Sequence, residues 1–328
     1  MPDPRIKLAV VIVNYKTADL VIQCLESLLT ELVGIDAKII VVDNRSQDGS
    51  IARLQDWIAV HNNRNIVQVI AAETNDGFAA GNNVGMCATD AEYYLLLNSD
   101  TIVRPGAMAR LLQTADGSPN AGIVSPRLEW PDAVPQVSCF RYLSPMSELI
   151  GSAQTGPITA VLKRFDVPLP VSDTIVHPQW TSFACVLVRH RLLDEIGLMD
   201  DGFFMYFEDA EFCRRTHKSG WDVVHDPEAR VVHLRGGSSP VKKMALERRR
   251  LPRYYYASRT RYFYLAYGWF GLTLANILWL VGRCVSKCRE TLERRPPGVP
   301  DKQWRDIWLN WLDPGAPWSQ QRTKMSAK

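Results

Sequence analysis

Tyr93-Tyr94-Leu95-Leu96-Leu97-Asn98-Ser99-Asp100 is the stretch on which the reading of this chain turns. Its apolar part has the length of a short buried strand, and it ends in an amide, a hydroxyl and a carboxylate. Polar groups at the carboxyl end of such a strand are where open α/β sheets bind ligands. Asn-Ser-Asp alone is also ordinary turn chemistry. Its weight comes from its order among four other signals: Val11-Ile12-Val13-Asn14-Tyr15, Val41-Val42-Asp43-Asn44, the run Asn75-Asp76-Gly77-Phe78-Ala79-Ala80-Gly81-Asn82-Asn83, and Phe207-Glu208-Asp209 with His233.

Working outward, Leu8 to Val13 is a continuous apolar, β-branched run of the kind that forms a parallel strand covered on both faces. Asp19 is the expected cap of a helix reaching about Thr30. Lys38 to Val42 is a second strand, and Ser46 to Ser50 is a turn into a second helix. A strand at Ile66 to Ile70, a helix at Phe78 to Ala88 and the strand Tyr93 to Leu97 continue the alternation. It predicts βαβ units in a doubly wound, mostly parallel α/β sheet. From Ser125 to Trp180 prolines are frequent and caps few, so loops and short strands are expected. Order returns with a strand at Phe183 to Val188 and helices at His190 to Ile196 and Asp209 to Ser219. Val223-Val224-His225 and Arg230-Val231-Val232 read as short closing strands.

A chain of 328 residues allows one large domain or two small ones. The net charge of +3 is uneven. Lys242, Lys243, Arg248, Arg249, Arg250, Arg253, Arg259 and Arg261 stand against one acid, Glu247, a local balance of +7 that leaves −4 for the rest. A mildly acidic body with one basic segment points to an anionic surface, membrane rather than nucleic acid; a solvated basic helix is the plainer alternative. Seven cysteines without paired spacing argue for a reducing compartment and against a disulfide framework. Cys284 and Cys288 share a helix face, but no neighbouring His or Cys completes a metal site. Met1 to Arg5 is too short and polar for a signal peptide, so the bulk of the chain is expected in the cytoplasm.

Residues 262 to 282 contain no charged side chain, which is about the 20 residues a spanning helix needs. Positive charge flanks both ends, Arg259 and Arg261 before and Arg283, Lys287 and Arg289 after, which fits a single span poorly. With its many aromatics, the segment reads as a helix lying in the membrane plane or shallowly inserted. A buried core helix is the other reading.

Taken together, the motifs between about residues 6 and 240 resemble those of the inverting glycosyltransferases of family 2, which have the GT-A fold, and within that family its bacterial rhamnosyltransferase-like branch. The resemblance implies a catalytic domain over residues 1–240 and a basic, apolar, membrane-associating helical extension over 241–328. It implies transfer of a sugar from a nucleotide diphosphate, for which base and ribose must be gripped, the departing diphosphate neutralised, and an acceptor hydroxyl deprotonated.

For the grip, Asp43 can accept from a uracil or thymine imide N–H or a ribose hydroxyl; it can equally be a turn aspartate. The resemblance assigns Asn14 and Tyr15 to the nucleotide too, and lays Asn75, Gly77, Phe78 and Asn82 over the ribose and donor sugar. Gly77 and Gly81 would let backbone approach ligand, and the following helix start would offer N–H groups to an anion. For the diphosphate, Asp100 is the expected metal ligand, with Ser99 beside it. The family often carries Asp-x-Asp here; Asn98 stands in the first place and lowers the charge. Hard oxygen donors favour Mg²⁺ or Mn²⁺. His233, followed by Arg235-Gly236-Gly237-Ser238, matches a family position that closes the metal site.

For the proton, Glu208 and Asp209 open a helix after the aromatic run Phe203-Phe204-Met205-Tyr206-Phe207. Such carboxylates can simply complement the helix dipole; beside an aromatic wall they can also be desolvated toward a useful base. The resemblance makes Asp209 the general base and Glu208 a positioner of the acceptor. Glu211 and Arg215 are expected to brace the helix. Trp180 and Ser182-Phe183-Ala184-Cys185 match an acceptor- or sugar-lining segment, with Trp180 expected against the acceptor, on the side built by the 125–180 region. The donor implied best is dTDP-L-rhamnose, with UDP-hexose or UDP-GlcNAc as the alternative. The implied acceptor is a lipid-linked or cell-surface polysaccharide, met at the inner face of the membrane. A nucleotidylyltransferase would want a glycine-rich basic loop where Asn14-Tyr15-Lys16-Thr17 stands. A non-catalytic nucleotide-sugar binding module would lack the base or a metal ligand.

Overall fold

The computed structural model describes residues 5–234 and 241–320; Arg235 to Ser238, noted behind His233, lie outside the described residues. The N-terminal alternation is β1 (Ile6–Asn14), α1 (Ala18–Glu31), β2 (Ala37–Asp43), α2 (Ser50–Val60), β3 (Val67–Ala71), α3 (Phe78–Cys87) and β4 (Ala91–Asn98). Then come β5 (Thr101–Val103), α4 (Ala107–Gly117), β6 (Ala121–Glu129), β7 (Cys139–Phe140), α5 (Pro145–Ala153) and α6 (Gly156–Val161). β8 (Trp180–Thr181), β9 (Cys185–Arg189), α7 (His190–Ile196), α8 (Glu208–Lys218) and β10 (Asp222–His233) follow, and α9 (Val241–Leu246), α10 (Arg253–Leu292) and α11 (Gln303–Asp306) end the described chain.

The main sheet has eight strands in the order β3-β2-β1-β4-β9-β6-β10-β5. Its first four are parallel; β9 runs antiparallel to both β4 and β6 and makes the sheet mixed. The continuous apolar run of β1 is explained by two covered faces. Leu8, Val10 and Ile12 pack with Leu25 and Leu28 of α1 and Leu54 of α2. Ala9 and Val11 meet Met86 of α3 and Phe212 of α8 on the other side. Each such fully buried aliphatic side chain contributes about 1.5–3 kcal/mol.

Several local expectations are corrected. Thr17, not Asp19, is the N-cap of α1; Asp19 sits in the first turn. The two closing strands are one, β10, with a register irregularity between Asp226 and Arg230. The 125–180 region is not only loops and short strands. Its start continues β6 within the main sheet, and it holds α5, whose Ser144 and Ser147 form a reciprocal capping box with Pro145 at the first turn.

The charge-free segment is not one rod. Gly268 (φ 67°, ψ −171°) interrupts α10 in the left-handed region that glycine tolerates. Arg259 Nη1 nevertheless donates to Asn276 Oδ1 at 2.7 Å. In a continuous helix residues 17 positions apart are separated by about 25 Å along the axis. The two halves therefore fold back as a helical hairpin, with Tyr262 and Phe263 packed on Leu272 and Ala275, and Tyr256 clustered with Trp279. After the turn the charge-free part is only Trp269 to Gly282, about 21 Å of helix and short of a bilayer core. The hairpin lies along α5: Gly282 is so close that a Cβ there would sit 2.1 Å from Ser152 Oγ. The basic segment does not form one free patch. Arg250 pairs with Asp306 (2.7 Å), Arg259 with Glu148 (2.9 Å) and Arg261 with Asp200 (2.8 Å).

Candidate active site

One cleft of about 530 Å³ opens at the carboxyl ends of β1 and β4, between them and the start of α8. Tyr15, Asn75, Gly77, Phe78, Asn98, Ser99, Asp100, Glu208, Asp209 and His233 all line it. Five separate stretches of sequence thus converge on one space, of the size that holds a small-molecule substrate.

At one end the strands do the positioning. β5 pairs antiparallel with β10, His233 opposite Thr101, which sets His233 beside the residue preceding Thr101. His233 Nε2 lies 3.5 Å from Asp100 Oδ1. Leu234 N donates to the Asp100 carbonyl (2.9 Å), and Gln136 Nε2 to that of His233 (2.7 Å), so the backbone is held on both sides. Asp100 is 2% exposed and His233 9%, and His233 Nδ1 has no hydrogen-bond partner among the described residues. A carboxylate and an imidazole converge here, with the Asn98 amide at the same wall. Among the described residues no cluster of three or more metal-binding side chains occurs. Two protein ligands suit a hard divalent cation that completes its shell with substrate phosphates and water, so the donor set fits Mg²⁺ or Mn²⁺.

At the other end the side chains sit on a strained loop. Tyr206 (φ 72°) and Phe207 (φ 71°) are consecutive left-handed residues immediately before α8, each costing about 1–3 kcal/mol unless its surroundings hold it. Those surroundings are specific. Phe78 N donates to Phe204 O (2.8 Å), Ser258 Oγ to Met205 O (3.0 Å) and Trp318 N to Gly202 O (3.1 Å). Arg261 grips Asp200 with Nε and Nη2 (2.9 and 2.8 Å). The result buries Glu208, whose Oε2 has no hydrogen-bond partner among the described residues. Burial, and then the neighbouring Asp209 charge, hold the Glu208 carboxyl well above the usual range. Burial raises Asp209 to about 7. A helix-dipole role alone would lower these values; the desolvation argument prevails. Arg215 Nε bonds Glu211 (2.8 Å) while its other nitrogens cap Ile196 and Leu198 carbonyls, bracing α8.

Four expected residues lie elsewhere. Asn14 (0% exposed) and Asp43 (1%) are behind the cleft wall. Asp43 Oδ1 accepts from Asn14 Nδ2 and Ser46 Oγ, both at 2.6 Å, and its Oδ2 from Ser46 N at 2.9 Å. They shape the strand ends rather than face the space. Asn82 donates to Phe78 O inside α3 and is also buried. Trp180 stacks on Phe140, its cross-strand partner, at 4.1 Å between centroids, and its Nε1 donates to Arg141 O (2.7 Å); it does not line the cleft. The glycine-rich run approaches protein as well as cleft. A Cβ on Gly77 would fall 1.9 Å from Phe204 O, the Phe78 N–H is taken by that carbonyl, and Asn83 exchanges two bonds with the Met199 backbone. The run therefore also clamps the loop that carries the carboxylates.

Sequence reading missed the cleft's contribution from the far end of the chain: Lys242, Pro252, Tyr254 and Trp318. Phe204 packs with Tyr254 (5.1 Å) and Trp318 (5.4 Å). Nothing local in Trp318's neighbourhood signals this, because only the folded hairpin brings it there.

Residues 9–137 match the model of glycosyl transferase family 2. Those residues are a family 2 glycosyltransferase domain. Over 221 residues it is 28% identical to N-acetylglucosaminyl-diphospho-decaprenol L-rhamnosyltransferase of Mycobacterium tuberculosis, covering 61% of this chain and 67% of that protein. Over 230 residues it is 27% identical to a low-salt glycan biosynthesis hexosyltransferase of Haloferax volcanii, covering 69% and 66%. Over 218 residues it is 25% identical to a dTDP-rhamnosyl transferase of Shigella flexneri, covering 66% of each. The matched part spans about two thirds of each relative's own length. In fold the chain resembles a Pyrobaculum calidifontis mannosyltransferase solved with GDP-Man and Mn²⁺ (TM-score 0.54, 13% identity, 95% of this chain and 87% of that one). It also resembles GalNAc-T7 solved with UDP, GalNAc and Mn²⁺ (TM-score 0.60, 15% identity, 92% and 56%). The fold is GT-A.

Proposed function

We propose that this glycosyltransferase moves a sugar, with inversion, from a nucleoside-diphosphate donor, dTDP-L-rhamnose before UDP-hexoses, to a hydroxyl of a lipid-linked or cell-surface polysaccharide acceptor. The observation that carries the reading is a carboxylate poised near neutrality, Asp209, in the same cleft as the Asp100–His233 pair. With burial holding the Glu208 carboxyl well above the usual range, Asp209, raised to about 7, is the group that titrates in the working range and so the general base. Asp209 takes the acceptor hydroxyl proton as that oxygen bonds to the anomeric carbon; the bond to the diphosphate oxygen breaks on the opposite face. A divalent cation on Asp100 and His233 would supply the positive charge that a leaving diphosphate needs. Asn75, Phe78, Tyr15 and Ser99 line the donor side, with Asn14, Asp43 and Asn82 supporting that wall. Two rhamnosyl-transferring relatives support the donor choice, and the first of them, named for a diphospho-decaprenol substrate, supports a lipid-linked acceptor. Work on such an acceptor fits a site at the inner face of the membrane, with residues 1–240 catalytic and 241–328 the membrane-side extension.

The test is donor binding and slow hydrolysis, screening dTDP-rhamnose against UDP-glucose, UDP-galactose, UDP-GlcNAc and GDP-mannose, with Mn²⁺ and with chelator. Cation-dependent turnover of dTDP-rhamnose is expected. Turnover of a UDP-sugar instead would reassign the donor, and binding without turnover would reduce the domain to a binding module.

A further inference from the structure

The outward side of α10's second half is apolar from end to end. At 100° per residue Phe270, Ile277, Val281, Val285, Cys288 and Leu292 fall within one stripe under about 100° wide. All six are exposed, Phe270 at 80% and Leu292 at 85%. The opposite side, with Leu272, Ala275, Trp279 and Gly282, is buried against the first half of the hairpin and α5. A helix packed on a protein by one face and bathed in water on the other carries charges outward; this one carries its exposed charge, Lys287, about 80° round from the stripe. On this half of α10 Lys287 is the exposed charged side chain, while Arg283 is paired with Glu290 (2.8 Å).

We propose that this stripe is a docking surface for an anionic phospholipid bilayer, on which the second half of α10 lies in the interface plane. Because the buried face is already bonded to the protein, the helix can enter only by its outer stripe, the geometry of an interfacial amphipathic helix. Lys287 answers acidic headgroups, and Trp269, 42% exposed on the same side of the helix as Lys287, suits the headgroup level. A second copy of the chain would offer the same stripe and the same positive side chain, and the exposed acid next to it, Glu293, is already paired with Arg295 (3.0 Å). In naming the membrane contact, the proposal deepens the reading above and rests on it for its purpose, presenting the cleft to a lipid-linked acceptor.

The experiment is flotation of the full chain with phosphatidylcholine vesicles containing about 30% phosphatidylglycerol, an anionic surface of the kind basic flanks recognise. Binding is expected, falling several-fold in high salt and on pure phosphatidylcholine. The triple variant Phe270→Ser, Ile277→Ser, Val281→Ser should lose vesicle partition at least about tenfold while hydrolysing donor at the parent rate, which also reports that it is folded. Parent-like flotation of the variant overturns the proposal. So does a parent dimer in solution that the variant dissociates, since the stripe would then belong to a second copy. Vesicle binding without any sugar transfer would leave the docking surface standing and remove the functional reading alone.

Discussion

The two ends of the cleft are built by different means. Asp100 and His233 are set by backbone: a strand end, an antiparallel register and two hydrogen bonds to their own carbonyls. Glu208 and Asp209 are set by groups reaching in from elsewhere, above all the Ser258 and Arg261 side chains and the Trp318 backbone N–H of the C-terminal segment, across a loop with two left-handed residues. A sheet fixes geometry cheaply because every ladder bond supports its neighbours. A strained loop keeps its geometry only while its clamps hold. The cation end should therefore tolerate changes in the C-terminal hairpin, and the base end should not.

The sharpest break is Asp209→Asn. Sugar transfer should fall by about 10²–10⁴-fold, the range for a removed general base, while calorimetric donor affinity stays within a few-fold. Loss of donor affinity in parallel would place Asp209 at the wrong end of the cleft. His233→Ala attacks the opposite end. The increment in donor affinity that Mn²⁺ provides should shrink by about 10–100-fold, with the Asp209 pH dependence intact. A variant as cation-responsive as the parent would remove His233 from the cation site.

The same contrast explains what could be read from sequence. The alternation from Leu8 to Asp100 was legible because periodicity and strand ends are local, and Asn98-Ser99-Asp100 marked the cleft for the same reason. α5 was hidden by prolines, one of which, Pro145, starts it. β6 was overlooked because its partners, β9 and β10, lie far along the chain. Trp180 had the right chemistry for a sugar, but its cross-strand partner Phe140 could not be known without the β7–β8 pairing. Asp43 was identified as a strand-end carboxylate; that its oxygens are committed to Asn14 and Ser46 is a matter of side-chain geometry. The hairpin at Gly268 is invisible to composition, since 262–282 is uncharged on both sides of the turn, and with it Lys242, Tyr254 and Trp318 stayed out of view.

Arg261→Ala tests the clamp directly. Arg261 and Asp200 are 14% and 20% exposed at the side chain, so their removal combines a lost ion pair with a loosened loop. kcat should drop by about 10–100-fold through misplacement of Asp209 while donor affinity and its Mn²⁺ dependence hold. An equal loss in donor affinity would mean that both ends share one support, and the contrast would fail.

The smallest effect is on stability, and its sign is distinctive. Asp209 titrates near 7 in the folded protein and near 3.9 when unfolded, so the folded state keeps its proton to higher pH. Between about pH 4 and 7 the folded state binds more protons than the unfolded one, and stability falls as pH rises through that window. Glu208 acts in the same direction. Asp209→Asn removes the carboxylate and with it the cost of charging a buried site. The variant should match its parent in denaturant midpoint near pH 4 and exceed it by about 1–2 kcal/mol at pH 8. The same titration should appear in kcat/KM as a rise with pH centred near 7. If stability instead changes equally at both pH values, Asp209 is ionised throughout, the loop does not desolvate it, and the base end loses the property that separates it from the cation end.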